Sequence, residues 1–223
     1  MADGTALTQR RTLNVIGGTL SDDAVNQRTI VVIPAGATKP GDSKTLYVDK
    51  GGNDTTGARG NIGLPYLTIT AALAAAQSGD VVHVGPGTWV ERVVFPSLGS
   101  ISLVGSGVDA TLIDYSDESE PVVHVYPTSE MDSILIRDIT VNVSGPGNAI
   151  EIGGPVAKIW RVTIQDVRWR SDDSSGASFD SVYETHIAGC DGDAIRFGGC
   201  PKVFVSASSF EETSGAQWLD SNT

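Results

Sequence analysis

An internal repeat of eight residues, alternating apolar and polar side chains between glycines, constrains the fold of this chain most. Residues 147–154 (GNAIEIGG) recur 45 positions later as residues 192–199 (GDAIRFGG). A shorter motif at residues 136–139 (IRDI) recurs at residues 164–167 (IQDV). Repeats at such intervals are typical of solenoids, in which each repeat packs on its neighbours. The longer interval then corresponds to about two coils.

Looser copies of the shorter motif begin at Val182 and Val205, so that successive copies are 28, 18 and 23 residues apart. Short strand patterns rich in Val and Ile lie between turns of Gly, Pro or acidic residues. They cover residues 93–95, 101–104, 111–113, 122–125, 134–136, 139–141 and 149–152. Strands this close leave no room for βαβ crossover helices. A β-sandwich or a solenoid remains, and the repeats favour the solenoid.

Residues 45–94 combine strand, turn and helix signals. Strands are predicted at residues 45–49 and 80–84, with a short helix between them. Thr68 is the expected N-cap of the helix, and Gly79 is the expected stop signal. The apolar face of the helix comprises Ile69, Ala72, Leu73 and Ala76. Such a helix can lie across the open end of a sheet stack and shield its edge hydrogen-bonding groups.

This region also carries a series of short motifs with consistent spacing. They are Tyr47-Val48, Gly52-Asn53-Asp54, Pro65-Tyr66, Thr68-Ile69, Ala71-Ala72-Leu73, Ala76, Gly79-Asp80, Val84, Pro86-Gly87-Thr88-Trp89 and Glu91. The series resembles the opening of pectin-lyase-like β-helix proteins, which include pectate lyases, pectin methylesterases and many phage tailspikes. The resemblance implies an all-β fold, a right-handed parallel β-helix with an N-terminal capping helix, over residues 41–223. It implies no activity, because the same opening precedes many activities and none.

Residues 1–40 have a different character and form a small β lead-in. Strands are predicted at residues 12–16 and 28–33, with turn residues at 17–18 and 21–23. Two strands bury too little surface to be stable alone, so this segment is expected to pair with other chains or dock on something larger. It resembles short lead-in segments of phage tail-fibre and baseplate proteins, which implies attachment to other virion proteins.

The overall charge restricts the expected partners. The chain has 15 basic and 27 acidic residues, a net charge of −12. A field of this sign disfavours nucleic acid, anionic lipid and, without a local basic groove, polyanionic substrates. No apolar run is long enough for a transmembrane helix, and the N-terminus shows no secretory signal.

The enzymatic motifs expected after this opening do not occur. The methylesterase motifs QAVAL and DFIFG are absent, no arginine lies in a lyase motif, and no GxSxG indicates a serine hydrolase. The acidic residues Asp114, Asp117, Glu118, Glu120, Asp172, Asp173, Asp191 and Asp193 fall in predicted turns, where Asp is favoured for local reasons. Stacked coils could still bring two carboxylates to glycosidase spacing. We therefore predict no catalytic, metal-binding or cofactor-binding residue, and no cofactor.

Several other side chains leave alternatives open. His83, His124 and His186 are expected to face outward or to be locally hydrogen-bonded. Trp89, Trp160, Trp169 and Trp218 either stack on sugar rings or pack against loops and subunits. Cys190 and Cys200 are expected to be free thiols, although a pairing between neighbouring turns remains open.

Residues 214–220 resemble the start of a further coil without a cap. This indicates either packing on a partner chain or a natural chain that continues past Thr223. The resulting hypothesis is a structural protein of the phage virion, of tail-fibre or tailspike type or a head fibre or decoration protein. It is expected to be homotrimeric, with a host-surface polysaccharide as a further candidate partner. The alternative is a carbohydrate-active enzyme, a hydrolase or lyase, on the same fold.

Overall fold

The chain divides into two compact units, Met1–Asp42 and Ser43–Thr223. The computed structural model describes residues 19–23, 28–32, 44–116, 120–144, 147–154, 158–171 and 176–210. The predicted strand at residues 12–16, the expected further coil at 214–220 and Trp218 all lie outside the described residues.

The described part of the first unit is an antiparallel pair of strands. Strand β1 (Thr19–Asp23) pairs with β2 (Arg28–Val32), from Thr19 opposite Val32 to Asp23 opposite Arg28. The strand predicted at residues 28–33 is therefore confirmed over Arg28–Val32. The turn predicted at residues 21–23 is wrong, because the backbone there continues the pairing with β2.

The described part of the second unit consists mostly of strands, with one helix. Its elements in chain order are β3 (Thr45–Val48), α1 (Ile69–Ala75), β4 (Asp80–Val84), β5 (Gly87–Trp89), β6 (Val93–Val94), β7 (Ser100–Val104), β8 (Thr111–Tyr115), β9 (Val123–Val125), β10 (Met131–Val143), β11 (Ile150–Ile152), β12 (Ile159–Ser171), β13 (Ala177–Asp180), β14 (Val182–Ala188), β15 (Asp191–Gly192), β16 (Ile195–Gly198), β17 (Lys202–Ser206) and β18 (Ser209–Phe210). The strands predicted at residues 134–136 and 139–141 are a single strand, β10.

All strand pairs within the described part of this unit are parallel, and they form three ladders. The main branch of the eleven-stranded sheet has the order β17-β14-β12-β10-β7-β4-β3. Its side branch joins β5, β8, β15 and β18 through the C-terminal halves of β10 and β12. A separate five-stranded sheet has the order β16-β13-β11-β9-β6. The unit is thus mostly β with parallel sheets, an arrangement consistent with a β-helix-like solenoid.

Inward-facing residues of the main branch stack in register and form the core. One such row consists of Leu46, Val82, Leu103, Ile136, Ile164 and Ile187. All six are at most 1% exposed. Burying each aliphatic side chain contributes about 1.5–3 kcal/mol, so this row is a large part of the stability.

The register tests the predicted repeats directly. Ile150 and Ile195 occupy equivalent positions two strands apart, with Ala177 of β13 between them. The copy predicted at Val182 is wrong, because Val182 pairs with Ile159 and the residue opposite Ile164 is Ile187. The mistake arose because both residues are buried and aliphatic and lie on the same strand.

Two aspartates mark the bend between the main and side branches. Asp138 in β10 and Asp166 in β12 have positive φ angles of 58° and 50°. Asp tolerates this left-handed conformation better than most residues. The repeated motif with Asp at its third position therefore encodes the corner at which one long strand turns from the main branch to the side branch.

Helix α1 is held at its first turn by three polar side chains. Thr68 is the N-cap and accepts a hydrogen bond from the Ala71 N–H at 3.1 Å, as predicted. The Glu91 carboxylate accepts from the N–H groups of Ile69 and Thr70, each at 2.9 Å. Asp54 accepts from the N–H and hydroxyl of Thr68, each at 3.0 Å. Donors that a helix start leaves unpaired are thus satisfied.

The helix ends earlier than predicted. Its last residue is Ala75, and Ala76 is the C-cap with an extended backbone, so Gly79 belongs to the following turn and not to the helix end. Ile69, Ala72 and Leu73 are buried, and Ala76 packs partly buried against the same core.

A buried carboxylate fixes the start of β4. Asp80 is fully buried and accepts from the main-chain N–H groups of Lys44 and Gln77, each at 2.8 Å, and from Arg59 at 2.5 Å. Burial alone would raise the pKa of Asp80. The hydrogen bonds from Arg59, Lys44 and Gln77 and the positive charge of Arg59 outweigh burial and lower the pKa. The carboxylate therefore stays ionised and joins three separate segments.

The core of the side branch contains an aromatic stack. Trp169 is fully buried, and its ring lies 5.5 Å from that of Phe210. A Cβ at Gly192, the residue opposite Trp169, would lie 2.1 Å from the indole. Only glycine fits beside this ring.

Replacing Glu91 by Gln should lower the free energy of unfolding by about 1–2 kcal/mol, because a charge-assisted cap becomes a neutral one. Urea denaturation provides the measurement. Glu130→Gln, at an exposed turn position, is the matched control and should change the unfolding free energy by less than about 0.5 kcal/mol. Equal effects of the two variants would contradict the capping role.

Gly192→Ala should be destabilising by about 1–3 kcal/mol, because the added methyl group overlaps the Trp169 ring. Thermal unfolding followed by tryptophan fluorescence measures the effect. Gly63→Ala is the control, since a Cβ there meets nothing closer than 3.4 Å. A Gly192→Ala protein as stable as Gly63→Ala would show that the packing at Trp169 is wrong.

Candidate functional site

An exposed aromatic pair interrupts the outer surface of the main branch. In β12 and β14 the inward–outward alternation breaks, so that two consecutive residues face outward. The first of each two is aromatic. Trp160 is 46% exposed and Tyr183 is 43% exposed, with ring centroids 5.4 Å apart. We call Trp160 and Tyr183 the aromatic pair.

The sequence contained a signal for this pair. Trp160 lies four residues before Ile164, and Tyr183 lies four residues before Ile187. Because Ile164 and Ile187 are paired in register, the two aromatic residues must be neighbours on adjacent strands. The misplaced copy at Val182 hid this relation, so sequence analysis did not pair Tyr183 with Trp160.

Charged side chains border the aromatic pair. Arg161, Glu184 and Lys202 follow it in one outward row. Arg161 Nε donates to Glu184 at 3.0 Å, and Lys202 Nζ lies 4.8 Å from the centroid of the Tyr183 ring. Hydrogen bonds from His186 and then Arg161 lower the pKa of Glu184, so this carboxylate remains an acceptor.

This surface combines the features that a sugar needs. A flat aromatic ring can cover the apolar C–H face of a pyranose, and it does so at little entropic cost because it has two side-chain torsions. Exposed donors and acceptors beside the ring can satisfy the hydroxyl groups. Trp160 is thus the only tryptophan among the described residues that is available for stacking, since Trp89 and Trp169 are buried.

A second polar surface lies on the side branch. Arg168 bridges Asp109 and Asp191, and it donates to the Asp191 carboxylate through Nε at 3.2 Å. Asp109, Leu112, Thr140, Asn142 and Arg168 line a pocket of about 280 Å³. The pocket is thus lined by one carboxylate, that of Asp109, beside Arg168, and Asp191 binds the same guanidinium group without lining the pocket.

The charges around Asp191 argue against its use as a catalytic acid. Partial burial would raise the pKa of Asp191, but hydrogen bonds and charge from Arg170 and Arg168 outweigh it and lower the pKa. A glycosidase acid needs the opposite shift. The arrangement is a compensated ion network that connects neighbouring strands.

The remaining acidic residues singled out from the sequence are paired, partly or fully buried, or outside the described residues. Glu120 accepts from Arg92 at 2.6 Å, Asp114 is half-buried, and Asp193 is buried. Residues 117–118 and 172–173 lie outside the described residues. Within the described part of the chain, His, Cys, Asp and Glu form no group of three or more that could hold a metal ion.

His186 and His124 make local polar contacts, one of the two arrangements predicted for the histidines. His186 Nε2 lies 2.7 Å from Glu184, and His124 Nδ1 lies 2.8 Å from Arg92. The His83 ring packs near Tyr47, with centroids 6.1 Å apart.

Comparisons with known proteins give a distant structural likeness. No protein-family model matches the chain, and the search of curated proteins found no match. A solved structure described as a rhamnogalacturonan lyase aligns with a TM-score of 0.37 and 14% sequence identity. The alignment covers 78% of this chain and 58% of the lyase chain. Neither an activity nor a site residue follows from a likeness at this level.

Among the residues that the structure describes, no helix has the length and apolar character that crossing a bilayer requires.

Cys190 and Cys200 are both free and buried. Each Sγ atom lies 3.4–3.6 Å from two main-chain carbonyl oxygens, either of which can accept the single S–H proton. Burial raises the pKa of both thiols, which removes the reactive thiolate. The alternative of a disulfide between neighbouring turns is therefore wrong for this structure.

Both thiols should react slowly with a disulfide-exchange reagent such as DTNB in the native protein, and rapidly once urea unfolds it. The rate of colour release measures the reaction. A Val90→Cys variant is the positive control, because position 90 is 76% exposed and should label at once. Native labelling of Cys190 or Cys200 at the rate of the control would contradict their burial.

Proposed function

We propose that this chain is a structural component of a bacteriophage particle, of tail-fibre or tailspike type, that binds a host-surface polysaccharide through the aromatic pair. The observation that carries the binding role is the exposure of Trp160 and Tyr183 on adjacent, in-register strands. Large exposed aromatic groups cost free energy in water and commonly mark binding surfaces.

The architectural part of the proposal is a right-handed parallel β-helix whose open end is covered by α1. Three parallel ladders and stacked inward rows support it, and so does the usual right-handedness of parallel crossovers. The polar contacts of Thr68, Asp54 and Glu91 hold the helix in a fixed position. A stack of this kind is a rigid body suited to projecting from a particle.

The virion assignment rests on the resemblance of the sequence to phage proteins. In this proposal residues 1–40 attach the protein to other virion proteins, and residues 41–223 project outward as part of a homotrimer. Head fibres and decoration proteins share these features, so the position on the particle is left to experiment.

The direction of the ligand follows from the ladder. Trp160 and Tyr183 are displaced from one another along the stacking direction of the strands, perpendicular to the strands themselves. A linear polysaccharide that contacts both rings therefore runs across the strands of the main branch. Oligosaccharides long enough to reach both rings should bind more tightly than monosaccharides.

Trp160→Ala and Tyr183→Ala should each weaken binding about tenfold or more, the effect expected when an aromatic anchor is truncated. Binding to an array of bacterial surface polysaccharides, followed by calorimetry on the best ligand, measures the loss. Ile62→Ala is the control, because Ile62 is an exposed apolar residue between β3 and α1. Unchanged affinity in both aromatic variants would exclude this surface as the binding site.

Two further measurements test the virion role, and a cleavage assay tests the alternative. Native mass spectrometry should report a trimer, and antibodies should detect the protein in purified particles. A monomer absent from particles would contradict the proposal. Cleavage of a bound polysaccharide that is lost in Asp109→Asn would instead support the carbohydrate-active enzyme, because Asp109 is the carboxylate that lines the side-branch pocket beside Arg168.

A further inference from the structure

A cluster of charged side chains surrounds His124 on the outer face of the five-stranded sheet. Arg92 precedes β6, Glu120 precedes β9, and Glu151 lies in β11 directly opposite His124. Arg92 Nη2 lies 2.8 Å from His124 Nδ1 and 2.6 Å from Glu120 Oε2, and its Nε donates to the Pro121 carbonyl at 3.1 Å. The cluster connects three successive strands of the sheet.

The contact with Arg92 determines the protonation state of His124. A guanidinium group has only donors, so Nδ1 must accept and cannot carry a proton. The proton of the neutral ring therefore lies on Nε2. This atom is buried and has no hydrogen-bond partner among the described residues, and Glu151 Oε1 is 3.7 Å away.

The protonated ring has a different partner in place. Asn148 Nδ2 donates to Glu151 Oε2 at 2.8 Å, which holds the carboxylate with Oε1 on the side of His124. A positive imidazolium would repel Arg92 and attract Glu151. The two protonation states of one side chain thus favour two different sets of contacts.

We propose that His124 is a pH-responsive latch, which binds Arg92 when neutral and exchanges Arg92 for Glu151 when protonated. Release leaves Arg92 held by Glu120 and Pro121 alone, so the segment before β6 loses its direct side-chain contact with β9. Among the described residues, the charged groups that face the ring are Arg92, Glu120 and Glu151, and the neighbouring Tyr126 ring lies 5.7 Å away. The proposal does not depend on polysaccharide binding, which uses another face.

Burial and the neighbouring charges together lower the pKa of His124. Burial lowers the pKa of His124, the charge of Glu151 opposes this, and Arg92 lowers it further. The unfolded chain therefore takes up the proton first as pH falls. The contribution of neutral His124 to the free energy of unfolding has its full value above the pKa of histidine in the unfolded chain, about 6.5. This contribution decreases as the pH falls below that value.

The ring nitrogens of His124 can be observed directly by NMR, because the chain has three histidines and a His124→Asn variant assigns the signal. Nitrogen chemical shifts at neutral pH should show the proton on Nε2. The midpoint of the pH titration should rise in Arg92→Met, which removes a donor and a cation. It should fall in Glu151→Gln, which removes the acceptor charge.

Arg161→Gln is the matched control, since Arg161 contacts Glu184 beside His186 on the main branch. It should leave the His124 titration unchanged. A proton on Nδ1 at neutral pH, or midpoints that respond to neither variant, would overturn the latch. The tautomer is read from the unaltered protein, so the first of these outcomes does not depend on the folding of any variant.

Discussion

Parallel backbone pairing between strands that are distant in sequence is the constraint on which the second unit depends. Every strand of the main branch pairs with strands that lie elsewhere in the sequence, so no strand is stable alone. Stacked rows such as Leu46 to Ile187 make the pairing favourable by removing apolar surface from water at every step. Side chains that face outward are consequently free of the packing constraint, and the aromatic pair is among them.

Four polar residues fix the local structure of residues 45–94. Asp54, Thr68 and Glu91 satisfy the first turn of α1, and Asp80 joins the ends of three segments while buried. A buried carboxylate without such partners would be strongly destabilising. The motifs that contain these residues therefore encode the local geometry around α1 and the start of β4.

Much of the parallel-sheet architecture was predictable because it is periodic. The repeats around Ile136, Ile164 and Ile150 predicted the correct register, and Thr68 was identified from its capping chemistry. The copy at Val182 failed because residues 182 and 187 are both inward-facing and aliphatic, and only backbone pairing distinguishes them. Contacts such as Arg92 with His124 could not be predicted, since they join side chains 32 residues apart through loops of irregular length.

The break in alternation that exposes Trp160 and Tyr183 also separates substitutions that change the surface from substitutions that change the core. Asp132 holds the equivalent place in β10, where it is likewise exposed. Substitutions along this line alter the surface without entering the core, so recognition can diverge while the scaffold stays constant. The side chains at positions 132, 160 and 183 can therefore be exchanged one strand at a time to fit a changed ligand, both in evolution and in protein engineering.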